Sequence, residues 1–224
     1  MRVALRDIIR RTPILGGLVE HRRIAPFVGS RTYWERRYAA GGDSGTGSYG
    51  MLAEFKASIV NALVAKHDIR SVIEFGCGDG EQVSLVRHPQ YLGFDVSGTA
   101  VLRCRERFKD DHTKSFRLTS AYCGEKADMT LSLDVIYHLV ENAVFEHHMH
   151  TLFGAARRFV VVYSSDFEDP ERNEGAHIRH RKFSRWVRRH QPNWILVEHI
   201  PNRFPYQGDH RTGSLSEFFV YEKA

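Results

Sequence analysis

Past residue 50, the apolar positions of this 224-residue chain switch repeatedly between two periods. In "MLAEFKASIVNALVAKH" (51–67), Leu52, Phe55, Ile59, Ala62 and Leu63 recur at helical spacing, and "SVIEF" (71–75) then reads as a short buried strand. Further strands are predicted at "YLGFD" (91–95), "SFRL" (115–118), "ADMTLSLD" (127–134) and "RRFVVVYS" (157–164), separated by helices around 80–87, 97–109 and 140–156. A basic helix at 179–190, a strand in "NWILVEHIPNRF" and a last one in "SEFFVYEKA" close the chain. Such alternation predicts an α/β three-layer sandwich: an open, mostly parallel sheet with helices on both faces and ligands at the carboxyl ends of its strands.

The first fifty residues are built differently. Residues 1–23 carry Arg2, Arg6, Arg10 and Arg11 among apolar positions, so they contain neither a signal-peptide core nor a spanning segment. Val3, Leu5, Ile8 and Ile9 instead fit the apolar side of a short basic helix that docks on its own domain or lies peripherally on a membrane. "YWERRYAAGGDSGTGSYG" (33–50) follows, rich in glycine and hydroxyl residues. A phosphate cradle is excluded, because no strand precedes it and no Gly-Lys-Ser/Thr ends it. The chain therefore divides into an N-terminal segment, 1–50, and a main domain, 51–224.

Composition narrows the class only slightly. With 42% hydrophobic and 12% aromatic residues the chain can build a core, and a net charge of +5 suits an anionic substrate or nucleic acid without choosing between them. Cys77, Cys104 and Cys123 are too few and too scattered for a disulfide framework or a zinc ribbon, which points to a reducing cytoplasm.

Function is carried by "VIEFGCGDG" (72–80): a strand containing Glu74, then glycines at 76, 78 and 80. Glycine there permits positive φ and close approach of backbone to a ligand. The third glycine arrives one residue too early for a dinucleotide fingerprint, so NAD is disfavoured. Asp95 ends the next strand, where its carboxylate can accept from both hydroxyls of a ribose.

An acid two residues before a G-x-G-x-G turn, an acid ending the second strand, and "ADMTLSLDVIYHL" as fourth strand and loop resemble the class I S-adenosylmethionine-dependent methyltransferases, over roughly residues 50 to 164. The resemblance implies a seven-stranded sheet with an antiparallel last strand, S-adenosyl-L-methionine as cofactor and S-adenosyl-L-homocysteine as product. It implies that Gly76, Cys77 and Gly78 lie under the methionine part, that Glu74 orders the turn, that Asp95 holds the ribose and that Val96 borders the adenine. Ser120 or Ala121 falls where the family often has an acid for the adenine amino group, and here that acid is missing. By the same resemblance residues 33–50 form a lid hinged on Gly41 to Gly50, with Tyr33, Trp34 and Arg37 covering the cofactor and pairing with its carboxylate; the alternative is a passive linker.

Methyl transfer to an alcohol requires a base, and histidine is matched to that task near neutral pH. His138, just past the fourth strand, is the first candidate, with His177 and His180 as second choices; packing or capping of a helix is the plain alternative. Asp134 organises the methionine end or an acceptor hydroxyl, and Tyr137 lines the acceptor pocket or packs. "HIRHRKFSRWVRRH" (177–190) has five arginines and no acid, and Arg179 and Arg181 at its start can hold a phosphate or carboxylate of the acceptor. Asp209, His210 and Arg211 sit in a loop at the same cleft edge. In "EHHMH" (146–150) the ligands for a metal are not evident, and a wet helix face is the expectation. These readings favour O-methylation of a small-molecule or carbohydrate acceptor; the alternatives are RNA methylation, from the basic charge, and a non-catalytic module that kept the fold.

Overall fold

The computed structural model describes residues 27–172 and 174–224; the basic segment 1–23 lies outside the described residues. The strands are β1 (Val72–Phe75), β2 (Tyr91–Asp95), β3 (Lys114–Leu118), β4 (Ala127–Leu133), β5 (Ala156–Ser164), β6 (Trp194–Ile200) and β7 (Glu217–Lys223). They form one seven-stranded sheet in the order β3-β2-β1-β4-β5-β7-β6. The first five pair in parallel, and β7 runs antiparallel between β5 and β6. The sheet implied by the sequence is therefore present, down to its reversed strand.

The helices are α1 (Ser30–Ala39), α2 (Gly50–Lys66), α3 (Glu81–Ser84), α4 (Gly98–Arg107), α5 (Asn142–Ala155) and α6 (Phe183–His190). Alternate strand residues face opposite layers. Val161 packs with Phe55, Val60 and Leu63 of α2, whereas Val160 and Val162 pack with Phe145, Met149 and Phe153 of α5 and Phe183 of α6. Both faces of the sheet are thus covered, as a parallel sheet requires. Among the described residues no helix is long and apolar enough to cross a membrane.

Three elements differ from the sequence expectation. The helix expected at 80–87 is a single turn, Glu81–Ser84, because Pro89 biases His88 away from helical backbone and draws the chain into β2. The basic helix starts at Phe183 instead of 179, since the Arg179 N–H is spent on the Tyr137 carbonyl (2.7 Å) and Arg181 Nη2 donates to the carbonyls of Leu139 and Val140. The buried face of α2 runs through Leu52, Phe55, Lys56, Val60 and Leu63, with Ala62 outside, so a lysine occupies its centre.

Residues 27–50 pack against the rest of the chain. Ser30 Oγ lies 2.6 Å from Glu141 Oε2, Glu35 accepts from the Thr99 hydroxyl at 2.6 Å, and Arg103 donates to the carbonyls of Tyr38 and Gly42. The glycine-rich stretch is held across the carboxyl end of the sheet and ends in a 3-10 turn, Thr46–Ser48.

Candidate active site

Because β1, β2, β4 and β5 are parallel, their last residues emerge on one edge; antiparallel β7 brings its first residues to the same edge, with Ser164 opposite Glu217. Two neighbouring cavities open there. The first, of about 370 Å³, is lined by the turn after β1, Asp95, Val96, Asp134 and part of α5. The second, of about 230 Å³, lies between α1, the glycine-rich stretch and the segments 174–180 and 210–216. Trp34, Ser44, Ser48, Asp134 and His138 line both and mark their junction.

The floor of the first cavity is the turn 76–80. Gly76 has φ 97° and Gly78 φ 59°, and the N–H groups of Gly76 and Cys77 both donate to the Phe94 carbonyl, which folds the turn against β2. A Cβ on Gly76 would stand 2.4 Å from Val135 Cγ2, so this is a cradle only glycine can form. Glu74 lies beneath it, buried, accepting from the Tyr91 hydroxyl at 2.6 Å. Burial raises its pKa to about 7 against that hydrogen bond. Asp95 accepts from the N–H groups of Gly78 (3.0 Å) and Ser97 (2.8 Å), yet desolvation lifts its pKa to about 6.

At the junction Asp134 has φ 58°, a strained value for a residue other than glycine. Its Oδ2 pairs with Lys56 Nζ at 2.6 Å, and its Oδ1 accepts from the hydroxyls of Tyr137 (2.9 Å) and Ser216 (3.1 Å). Beside it, His138 Nδ1 is 3.2 Å from the His177 carbonyl, an oxygen that only accepts, so Nδ1 carries the proton and Nε2 the lone pair. Burial lowers the His138 pKa to about 4 and keeps the ring neutral at pH 7. Trp34 meets it edge-on at 4.8 Å, and His177 stacks between His138 and Tyr33.

At the far side of the second cavity, His180 is buried with Nδ1 2.7 Å from Ser165 Oγ and Nε2 3.3 Å from Glu174 Oε2. Glu174 also pairs with Arg172 and, at 3.5 Å, with His210. All four histidines singled out from the sequence as base or acceptor contacts therefore line one cavity.

Other expected residues fall elsewhere. Arg37 lines the second cavity, not the first, and is held by Asp43 through Nη2 (2.8 Å) and Nε to the carbonyl (2.6 Å); Tyr33 also faces the second. Ser120 is exposed, because the 3-10 turn Thr119–Ala121 presents Thr119 to the first cavity instead. Arg179 donates to the Val140 carbonyl and Asn142 Oδ1, Arg181 lies over the Phe145 ring at 4.9 Å, and Asp209 and Arg211 pair with each other in the solvent; none lines either cavity. His148, expected on a wet helix face, is turned inward onto Ser132 Oγ at 2.9 Å and borders the first cavity.

The sequence reading missed Lys56, Ser44, Asp79, Ser165, Glu174 and Ser216. Only Lys56 had a usable signal, a charge on the apolar face of α2.

No protein-family model matches the sequence, and no curated protein matches it. Solved structures do match. The N-methyltransferase NodS from Bradyrhizobium japonicum WM9, in complex with S-adenosyl-L-homocysteine, aligns with TM-score 0.68 at 16% identity over 87% of this chain and 98% of that one. Magnesium protoporphyrin IX methyltransferase from Synechocystis PCC 6803, with bound S-adenosylmethionine, aligns with TM-score 0.62 at 16% identity over 89% and 99%. The methyltransferase domain of bacterial CtHen1-C gives 0.58 at 20% identity over 76% and 97%. The chain has the fold of the class I S-adenosylmethionine-dependent methyltransferases.

Proposed function

We propose that the protein is an S-adenosylmethionine-dependent methyltransferase that methylates a hydroxyl of a small-molecule or carbohydrate acceptor, with His138 as base. The observation that carries this reading is the junction of the two cavities, where a neutral imidazole with a fixed tautomer lines both.

The residues of the first cavity fit the cofactor. The glycine turn lines it, and Asp95 is a buried acceptor at the end of β2, suited to the two ribose hydroxyls. Bound there, S-adenosylmethionine supplies a methyl group on a sulfonium, open to in-line displacement. Asp95 and the turn hold the nucleoside; Trp34 and Ser44 line the junction with the second cavity; Asp134 fixes that junction through Lys56, Tyr137 and Ser216. His138 Nε2 accepts the proton of the acceptor hydroxyl as its oxygen becomes bonded to the methyl carbon. The His177 carbonyl keeps the other ring nitrogen protonated, so the proton has one place to go.

The second cavity offers imidazoles and hydroxyls, and its charged groups are paired: Arg37 with Asp43, Glu174 with Arg172. That lining suits a neutral, hydroxyl-bearing acceptor, which is why we favour one over an anion. Cell extract incubated with methyl-labelled S-adenosylmethionine and the protein tests the proposal. A labelled methyl ether supports it; label recovered only on nitrogen or on RNA would replace it.

A further inference from the structure

The far end of the second cavity is lined by Ser165, Glu174 and His180, which hydrogen-bond in series. A carboxylate paired with Arg172 is ionised and only accepts, so the His180 proton sits on Nε2, 3.3 Å from Glu174 Oε2. Burial lowers the His180 pKa and favours the neutral ring, which leaves Nδ1 with a lone pair. The Ser165 hydroxyl, 2.7 Å away, therefore donates its one proton to Nδ1.

Donors at this end are thus used, and acceptors are left over. Among the described residues only His180 meets Ser165 Oγ, whose oxygen keeps its lone pairs. Glu174 has about four acceptor positions. Arg172 takes one; His180 and His210, at 3.3 and 3.5 Å, stand beyond the usual length of a charge-assisted contact. Because Arg172 balances Glu174, this end offers acceptors without a net charge, which suits a hydroxyl better than an ammonium.

At the junction, His138 Nε2 offers the same cavity another lone pair. The Tyr137 ring approaches both imidazoles, with centroids 4.5 Å from His138 and 6.0 Å from His180, so the two ends lie one side chain apart in a cavity of about 230 Å³.

We infer that Ser165 and Glu174 form a second hydroxyl subsite of the acceptor cavity and that the acceptor is a polyol, with one hydroxyl at His138 for methylation and another donating to Ser165 Oγ or Glu174. The assignment rests on the reading that this cavity takes a hydroxyl-bearing acceptor. A monohydric alcohol leaves the far acceptors unfilled and out of water, which costs affinity.

The experiment uses two probes that share a six-carbon ring: myo-inositol, with a hydroxyl on every carbon, and cyclohexanol, with one. Affinities are measured by saturation-transfer NMR in wild type, Ser165→Ala and Glu174→Gln, each saturated with S-adenosylhomocysteine. The expected result is binding of myo-inositol at least about tenfold tighter than cyclohexanol in wild type. Each variant should lose about tenfold for myo-inositol and change under about 2-fold for cyclohexanol. If Ser165→Ala does not fold, Glu174→Gln carries the same test. Equal binding of the two rings, binding of neither, or variants that weaken both alike or not at all overturn the subsite. The underlying reading is judged apart, on the product labelled in cell extract: a methyl ether with no further hydroxyl overturns the subsite alone, and label only on nitrogen or on RNA overturns both.

Discussion

The backbone N–H of Ser44 donates to Asp79 Oδ2 over 3.0 Å, and the N–H of Asp79 donates back to Ser44 Oγ over 3.1 Å. Tyr49 adds its hydroxyl to the same Asp79 oxygen at 2.7 Å, and Tyr38 reaches Ser44 at 3.0 Å. The glycine-rich stretch is therefore pinned to the turn that floors the first cavity. Gly78 is part of the fit, for a Cβ there would stand 2.4 Å from Ser44 Oγ.

We propose that this clasp holds the stretch as a lid, which Asp79→Ala should release. We expect faster amide exchange across residues 44–50 and a loss of about tenfold in S-adenosylhomocysteine affinity, the size of one or two hydrogen bonds. Exchange that matches wild type would return the stretch to a linker.

Cofactor affinity should depend on pH through Asp95. Its carboxyl in the free protein titrates near 6, and only the ionised form accepts from two ribose hydroxyls while keeping the Gly78 and Ser97 N–H groups. Lowering the pH from 7 protonates it, so affinity falls by about tenfold at pH 5, as a one-unit separation requires. In Asp95→Asn the affinity is weaker and flat over that range; a slope that survives the substitution assigns the titration to another group.

His138→Ala should leave S-adenosylhomocysteine binding within about 2-fold and lower kcat by about 10²- to 10⁴-fold, the range for a lost general base. Burial depresses this histidine, so kcat in wild type at saturating cofactor should hold down to about pH 4 or 5, where the imidazole protonates, instead of falling near its ordinary 6.5. Unchanged turnover would remove His138 as the base.

Gly76→Ala tests the cradle. It forces a side chain to φ 97° and against Val135, and should cost about 2 kcal/mol or more in urea unfolding, beyond any effect on binding.

Much of this site is readable in sequence because its parts sit at the ends of apolar runs. Glu74, the glycine turn, Asp95 and Asp134 each end or follow a strand, and parallel topology brings strand ends together wherever the helices fall. What escaped depends on side-chain direction or on distant returns of the chain. Lys56 hid in a helix scored for its apolar residues. Arg37 shares a helix with Trp34, but Asp43 draws it toward the second cavity. Ser216 reaches Asp134 only because β7 is antiparallel, and Ser165 and Glu174 are joined through His180 across a long loop. His148 sits in a run of polar residues whose phase on α5 turns one of them inward.

The central claim is that the first cavity binds S-adenosylmethionine with Asp95 as the ribose acceptor. Calorimetric titration of S-adenosylhomocysteine into wild type and Asp95→Ala tests it most directly. Saturable one-to-one binding that disappears in Asp95→Ala is the predicted result; no binding to wild type, or equal binding to both proteins, would contradict it.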